Sequence, residues 1–447
     1  MRLSRGRFAI VSLALVLLPL AACAQSPRTI DVDASKLREY VGPYRWQDSG
    51  FVYVQVWGEL TAKNQLVAFD EAGEVRALFP TAPDSFVAGP AAGVASPVES
   101  HVAFRRERTG AVTGFSWRRG DEPQRMAQRA ATERSEEVRF ANGDVRLSGT
   151  LLRPTTTAPV PAVILVHASG AEDREYVLPL TRFLVRRGVA ILGFDKRGVG
   201  GSTGDWRTAS FDDLAGDVIA AHRYLQTRAD IRRDQIGLLG WSQAGWVMPL
   251  AATRDTTIAF LISVSGAGVP AAETTIDQAR NEMTARGMKP ETIGAIVGLM
   301  QLQYRYARTG QGWDEYTAGR DKLVARFGRA PETFPGTRDD PYWDFIRRLY
   351  FHDQAATLRQ LRIPTLALFG ELDNNIVAEK NRAAWEAALT AAGNRDFALH
   401  VVPRANHLML EAKVGSNAEM PSLQRFVPEY SRIVVDWLSS RVPGERD

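Results

Sequence analysis

The segment Ile236-Gly237-Leu238-Leu239-Gly240-Trp241-Ser242-Gln243-Ala244-Gly245 constrains this chain more than any other. An apolar run with strand character reaches Gly240, a serine and two small residues follow, and Trp246-Val247-Met248 can continue as a helix. A strand that turns sharply into a helix at a serine lifts the hydroxyl to the end of a sheet and strains the serine backbone. The flanking residues must then be small for strand and helix to pass closely. Gly240 and Ala244 are small, although the Gly-x-Ser-x-Gly pattern has glycine where Ala244 stands. Ser242 is therefore a candidate nucleophile, and because such a stretch also arises by chance, the rest of the chain must decide.

A serine hydroxyl needs a base to take its proton, and the base needs a third group to orient it. One chain order for this triad is Ser, then Asp or Glu, then His. Asp373 follows the apolar strand Thr365 to Phe369 in Gly370-Glu371-Leu372-Asp373, and His407 follows the short strand Ala398 to Val402 in Pro403-Arg404-Ala405-Asn406-His407. Taken singly, Asp373 reads equally as a turn or cap residue and His407 as a surface histidine; together, downstream of Ser242, they read as acid and base. Glu371 is the rival acid. Acyl chemistry also requires N–H groups where negative charge develops. The Gln243 N–H at the start of the helix is one candidate. The other lies in His167-Ala168-Ser169-Gly170, with Ser169 preferred and Ala168 as the fallback. His167 reads as a structural loop residue, and Asp195 and Arg197 as a turn-stabilising ion pair.

From Pro161 onward strands alternate with helices, which is the mark of an α/β fold built on a parallel sheet. Pro270 to Leu361 interrupts the alternation with few strand signals, so a helical cap is expected there. Short strands fill the region before, among them Phe51 to Trp57, Val102 to Arg106 and Val112 to Trp117. The expected organisation is a small all-β domain at 28–117, a charged linker or connecting helix at 118–135, and an α/β domain at 136–447 with its cap at about 270–361. His101 has no His or Cys companion nearby and reads as a strand or surface residue, and His222 reads as a packed helix residue.

The first residues read as an export signal. Arg2, Arg5 and Arg7 precede the apolar run Phe8 to Leu20, which is short for a membrane span and broken by Pro19. With residues 1–22 removed the chain carries 52 basic and 51 acidic residues, a balance that calls for no nucleic-acid partner. Leu20-Ala21-Ala22-Cys23 resembles the lipobox of bacterial lipoproteins, which implies lipidation of Cys23 and a membrane anchor in the cell envelope; the alternative is cleavage after Ala24 and a soluble periplasmic protein. Cys23 is the only cysteine, so stability must come from packing rather than an internal disulfide.

Two further resemblances add to this reading. Tyr40-Val41-Gly42-Pro43-Tyr44 resembles the opening of the small β-domain appended to some β-lactamase-related serine hydrolases. His167-Ala168-Ser169-Gly170-Ala171-Glu172-Asp173-Arg174 and Phe194-Asp195-Lys196-Arg197-Gly198-Val199-Gly200-Gly201-Ser202 match motifs of α/β-hydrolases in the bacterial esterase, thioesterase and peptidase-like group. That resemblance implies an α/β-hydrolase fold with a mainly parallel sheet and a helical cap. It also implies a Ser242-His407-Asp373 triad acting on a small acyl substrate with neither cofactor nor metal. Ester cleavage is the expected reaction, with peptide or thioester cleavage as alternatives, and a catalytically reduced envelope lipoprotein with a binding role as the alternative of another class. Ala168 and Ala244 replace glycines of the family pattern, and a methyl at either place can narrow the oxyanion hole or tilt the hydroxyl.

Overall fold

The computed structural model describes residues 27–442 except 58–64, 175–179, 329–330 and 332. The expected signal segment and Cys23 lie outside the described residues.

A short helix α1 (Ala34–Arg38) leads into eight antiparallel strands: β1 (Gly42–Trp46), β2 (Phe51–Val56), β3 (Leu66–Asp70), β4 (Val75–Ala82), β5 (Ser85–Ala88), β6 (Ser100–Arg106), β7 (Val112–Arg119) and β8 (Arg125–Arg129). They pair in sequence and close into a barrel through β8 and β1. The side-chain alternation of strands drives this. In β6, Ser100, Val102 and Phe104 point inward while His101, Ala103 and Arg105 face out. Tyr44, Phe104 and Phe115 fill the interior, with ring centroids 5.0–6.1 Å apart.

The linker expected at 118–135 is strand instead. β8 bonds to β1 and β7 at once, and the next strand starts at Glu133. Only Ala127 of β8 is buried; Arg125 and Arg129 share its face but stay exposed, Arg125 over the Trp46 ring at 4.1 Å and Arg129 over Tyr44 at 5.3 Å. A closing strand with one inward alanine has the composition of a linker.

The second unit opens with a hairpin, β9 (Glu133–Asn142) and β10 (Val145–Pro154), joined by the two-residue turn Gly143-Asp144. It continues through β11 (Val160–Val166), α2 (Leu180–Arg186), β12 (Ala190–Phe194), α3 (Phe211–Gln226), β13 (Ile231–Trp241), α4 (Ala244–Arg254) and β14 (Leu261–Val264). Sheet order is β9-β10-β12-β11-β13-β14, then two later strands. β9 and β10 run antiparallel and the strands beyond them are parallel. Every residue of β11 and β12 is buried, as a sheet covered on both faces requires. α3 and α4 cover one face through residues such as Leu214, Val218 and Val247.

Five helices follow: α5 (Ala271–Ala285), α6 (Pro290–Thr309), α7 (Trp313–Phe327), α8 (Tyr342–Leu349) and α9 (Gln354–Leu358). Their own core gathers Leu299, Tyr306, Tyr316 and Trp343. The sheet then resumes with β15 (Thr365–Gly370), α10 (Ala378–Ala391), β16 (Phe397–Val402) and the closing helix α11 (Pro428–Ser439). No described helix is long and apolar enough to cross a membrane.

The barrel is not a loose appendage. The outer face of β2 to β4, with Tyr53, Val67, Phe69 and Val75, joins the core on the α2 and α11 side of the sheet. The segment 421–426 runs along the barrel: Val75 N donates to Gln424 O at 3.0 Å, Ala92 N to Leu423 O at 2.6 Å, Gly93 N to Pro421 O at 2.8 Å, and Phe426 N to Gly73 O at 2.8 Å.

Candidate active site

β13 ends at Trp241, α4 begins at Ala244, and between them Ser242 holds a φ of +52°. A serine in the left-handed region costs roughly 1–3 kcal/mol, which the surroundings must impose. The ladder supplies part of that, since Ser242 N donates to Val264 O at 3.1 Å. Close packing supplies the rest. A Cβ on Gly240 would lie 2.4 Å from the Ala244 methyl and 2.7 Å from Val166 O. One on Gly245 would lie 2.6 Å from the Gly266 Cα. The Ala244 methyl is thus seated over the bare Cα of Gly240, fully buried in the core. Ser242 keeps its left-handed turn with that methyl in place. The missing glycine of the motif is compensated by Gly240 beneath it and Gly245 beside it.

β15 and β16 deliver the other two residues from neighbouring strand ends. His407 Nδ1 lies 2.8 Å from Asp373 Oδ2, and both side chains are buried. Asp373 Oδ1 accepts from Asn375 N and Ile376 N, each at 2.8 Å, which fixes the carboxylate plane. Glu371 is occupied elsewhere, accepting from Arg404 N at 2.7 Å. Asn406 shapes the histidine loop, its Oδ1 accepting from Leu408 N and Leu410 N at 3.0 Å. Ser265, itself at φ +48°, donates through Oγ to His407 O at 2.9 Å. Nothing in the linear pattern around Ser265 points to this.

The loop after β11 is held by side chains. Ala168 N donates to Glu172 Oε2 at 2.7 Å, so the fallback donor is already used. Ser169 is exposed and its N–H, like that of Gln243, has no acceptor among the described residues. Buried Lys196 Nζ donates to Ala168 O at 2.7 Å, Gly170 O at 3.0 Å and Gln243 Oε1 at 2.9 Å. Burial pulls the Lys196 ammonium down to about 8, against the attraction of Glu172. Sequence reading passed over Lys196 and Glu172. The available signal was that Lys196 lies two residues beyond the end of the wholly buried strand β12, which places a cation at the sheet end beside this loop.

His167 sits underneath with Nε2 2.5 Å from Phe194 O, and burial pushes it down to about 3, in keeping with a structural role. Asp195 and Arg197 do not pair with each other as expected. Asp195 is gripped by Arg174 (2.8 and 3.0 Å) and by Gly201 N (2.7 Å). Burial opposes its ionisation, but these donors outweigh burial and hold the carboxyl below its usual range. Arg197 instead makes two bonds to Asp217, at 2.7 and 2.8 Å. Each residue ties the β12 turn to a different neighbour. His222 is buried on α3 with Nδ1 2.9 Å from Asp255.

Ser242, His407, Ser169 and Gln243 all line one cavity of about 480 Å³. The cap closes over it with Thr274 and Gln278 of α5, Phe345 and Leu349 of α8, and Tyr350. Trp206, Phe211, Trp241, Trp246 and Met420 add aromatic and apolar surface to a lining that also carries polar side chains such as Gln278, Asn375 and Asn417.

The fold and this arrangement define a hydrolase of the α/β-hydrolase superfamily. The family pattern of the X-Pro dipeptidyl-peptidases (S15 family) matches residues 142–408, and the chain belongs to that family. It is 23% identical over 274 residues to the esterase EstD of Thermotoga maritima, covering 60% of this chain and 59% of that protein. It is 30% identical over 128 residues to the quorum-quenching protein AidA of Acinetobacter baumannii, covering 28% of this chain and 42% of that one. The chain therefore spans under two thirds of the length of the curated relatives it matches. Among solved structures, the Pyrococcus furiosus esterase Pf2001 aligns with a TM-score of 0.43 at 16% identity, over 69% of this chain and 92% of that one. The structure of DcsB with its substrate analogue aligns at 0.46 and 17% identity, over 70% and 100%.

Proposed function

We propose that this protein is an exported serine hydrolase that cleaves uncharged carboxylic esters. One observation carries the reading: Ser242, strained at φ +52°, shares a cavity with His407, whose far ring nitrogen is anchored 2.8 Å from buried Asp373. In this mechanism Ser242 Oγ attacks the acyl carbonyl while the imidazole takes its proton. The resulting oxyanion is received by the Ser169 and Gln243 N–H groups. Collapse expels the alkoxide, which takes the proton back from the imidazolium and leaves as the alcohol. Water, deprotonated by His407, then attacks the acyl-enzyme and releases the acid. Asp373 fixes the imidazole tautomer throughout.

The family name raises dipeptide release as the second reading, and a thioester is open to the same triad. Cleaving a dipeptide from a free N-terminus calls for a group that receives an ammonium. The carboxylate, ammonium and imidazole side chains among the described residues lining the cavity are those of Glu172, Lys196 and His407, and each is committed to a partner within the site. That favours an uncharged ester, the class for which the Thermotoga relative is named. A purely binding role drew its support from Ala168 and Ala244, and the close fit of Ala244 over Gly240 removes half of that support.

The purified protein should hydrolyse a short-chain nitrophenyl ester and react with a fluorophosphonate. Ser242→Ala should abolish labelling and lower kcat by about 10⁴-fold or more; folded wild-type protein that resists the label would end the reading. Asp373→Asn, which leaves the carboxamide to impose the wrong tautomer, should cost about 10⁴-fold in kcat. For the envelope anchor, Cys23→Ser should shift the protein from the membrane to the soluble fraction, and unchanged fractionation would argue against lipidation.

A further inference from the structure

We infer that Lys196 is a positioning residue for the oxyanion hole, its single ammonium group locking both backbone segments that present the Ser169 and Gln243 N–H groups. The inference rests on the reading of Ser242 as nucleophile.

The geometry is specific. In a trans peptide unit the C=O of one residue and the N–H of the next point in opposite directions. Ala168 O and Ser169 N belong to one such unit, so a donor fastened to Ala168 O at 2.7 Å aims the Ser169 N–H to the opposite side. The second bond, to Gly170 O at 3.0 Å, holds the following peptide and stops the loop from rotating about Ser169. Glu172 completes the grip by accepting from Ala168 N. The third ammonium proton goes to Gln243 Oε1 at 2.9 Å and ties the residue that opens α4 to the same centre. Three donors meet three acceptors, and none is left over. A cation on a carbonyl also polarises the peptide it holds, which strengthens the N–H on the far side as a donor. Such a charge beside the hole favours the anionic tetrahedral state over the neutral ester.

The groups facing Lys196 are few. Glu172 of the same loop is the carboxylate, His167 beneath is held neutral by burial, and the Trp206 ring centroid lies 5.8 Å from Nζ. Burial lowers Lys196 to about 8, so the ammonium loses its proton over mildly alkaline pH, and the hole should loosen there.

The test measures kcat and KM on a nitrophenyl ester across mildly acidic to alkaline pH for wild type, Lys196→Met and Lys196→Arg. It adds the inhibition constant of a trifluoromethyl ketone, which forms an anionic adduct on serine. Wild-type kcat should decline as pH rises through about 8. Lys196→Met should lose about 10²-fold in kcat with KM changed less than about threefold, and ketone affinity should fall in parallel. Its alkaline decline should vanish. Lys196→Arg should also lack the decline, since guanidinium keeps its proton, while recovering part of kcat. A Lys196→Met enzyme with kcat within about threefold of wild type, or with kcat and ketone affinity uncoupled, overturns the proposal. If Lys196→Met does not fold by circular dichroism, Lys196→Arg decides: kcat and ketone affinity falling in parallel support the proposal, and wild-type values of both overturn it. Wild-type protein without fluorophosphonate labelling is a different result, because it defeats the nucleophile itself and the proposal with it.

Discussion

The two arms of the site share Lys196 but rest on different frames. The arm of Ser242 and Gln243 is fixed chiefly by backbone: a strand bonded on to Val264, a helix starting two residues later, and bare Cα atoms at Gly240 and Gly245 where the two cross, with Lys196 reaching only the Gln243 side chain. The arm of Ser169 belongs to a loop with no such frame, and charged side chains of Lys196 and Glu172 hold its peptides. A backbone-held arm resists solvent conditions and yields only to steric change. A charge-held arm tolerates steric change and yields to protonation or loss of one partner.

Substitutions can separate the two. The largest effect is expected at Gly240, where a valine would drive branched carbons into the Ala244 methyl and Val166 O, already 2.4 and 2.7 Å from a bare Cβ. Overpacking of this kind costs roughly 1–3 kcal/mol or more, so thermal unfolding should begin well below wild type. Unaltered melting would mean that strand and helix are not in such close contact. Next comes Glu172→Ala, which deprives Ala168 N of its charged acceptor. Stability should fall by about 1.5–3 kcal/mol, and kcat should fall with it while KM holds. A loss confined to KM would assign Glu172 to substrate binding instead. The smallest effect is expected from Ala244→Gly, which restores the family glycine. Helix α4 should lose about 1 kcal/mol, with kcat within about threefold; a large gain in kcat would show that the methyl does tilt the serine after all.

This difference also explains how far the sequence could be read. The strand-to-helix turn at Ser242 was legible because its requirements are local: small residues at fixed offsets from Ser242 and a change from strand to helix pattern. Asp373 and His407 were legible because each follows a recognisable apolar strand in a fixed chain order, and the structure brings them to 2.8 Å. The cap was legible as a break in alternation, though not as five helices with their boundaries. The closing strand β8 was not, because a barrel strand with one inward alanine has no apolar alternation to display. Lys196 and Glu172 were missed for a physical reason of another kind. Their roles depend on three-dimensional neighbours 24 to 47 positions apart or on a loop's exact path, and an adjacent Asp195 and Arg197 invited a pairing that the fold does not make.

The seam along 421–427 has a consequence for how this molecule can be taken apart. On one side that segment shares four backbone hydrogen bonds with the barrel, and Trp57 stacks on Phe426 at 6.0 Å. On the other it bonds directly to the histidine loop, with Glu411 N donating to Arg425 O and Val427 N to Met409 O, each at 2.9 Å. A cut at the junction between β8 and β9 would therefore strip one flank from the loop that carries His407 and uncover aromatic surface. Two units follow one another along the chain, but the covalent boundary between them is not a mechanical one, because the 421–427 strip belongs to both.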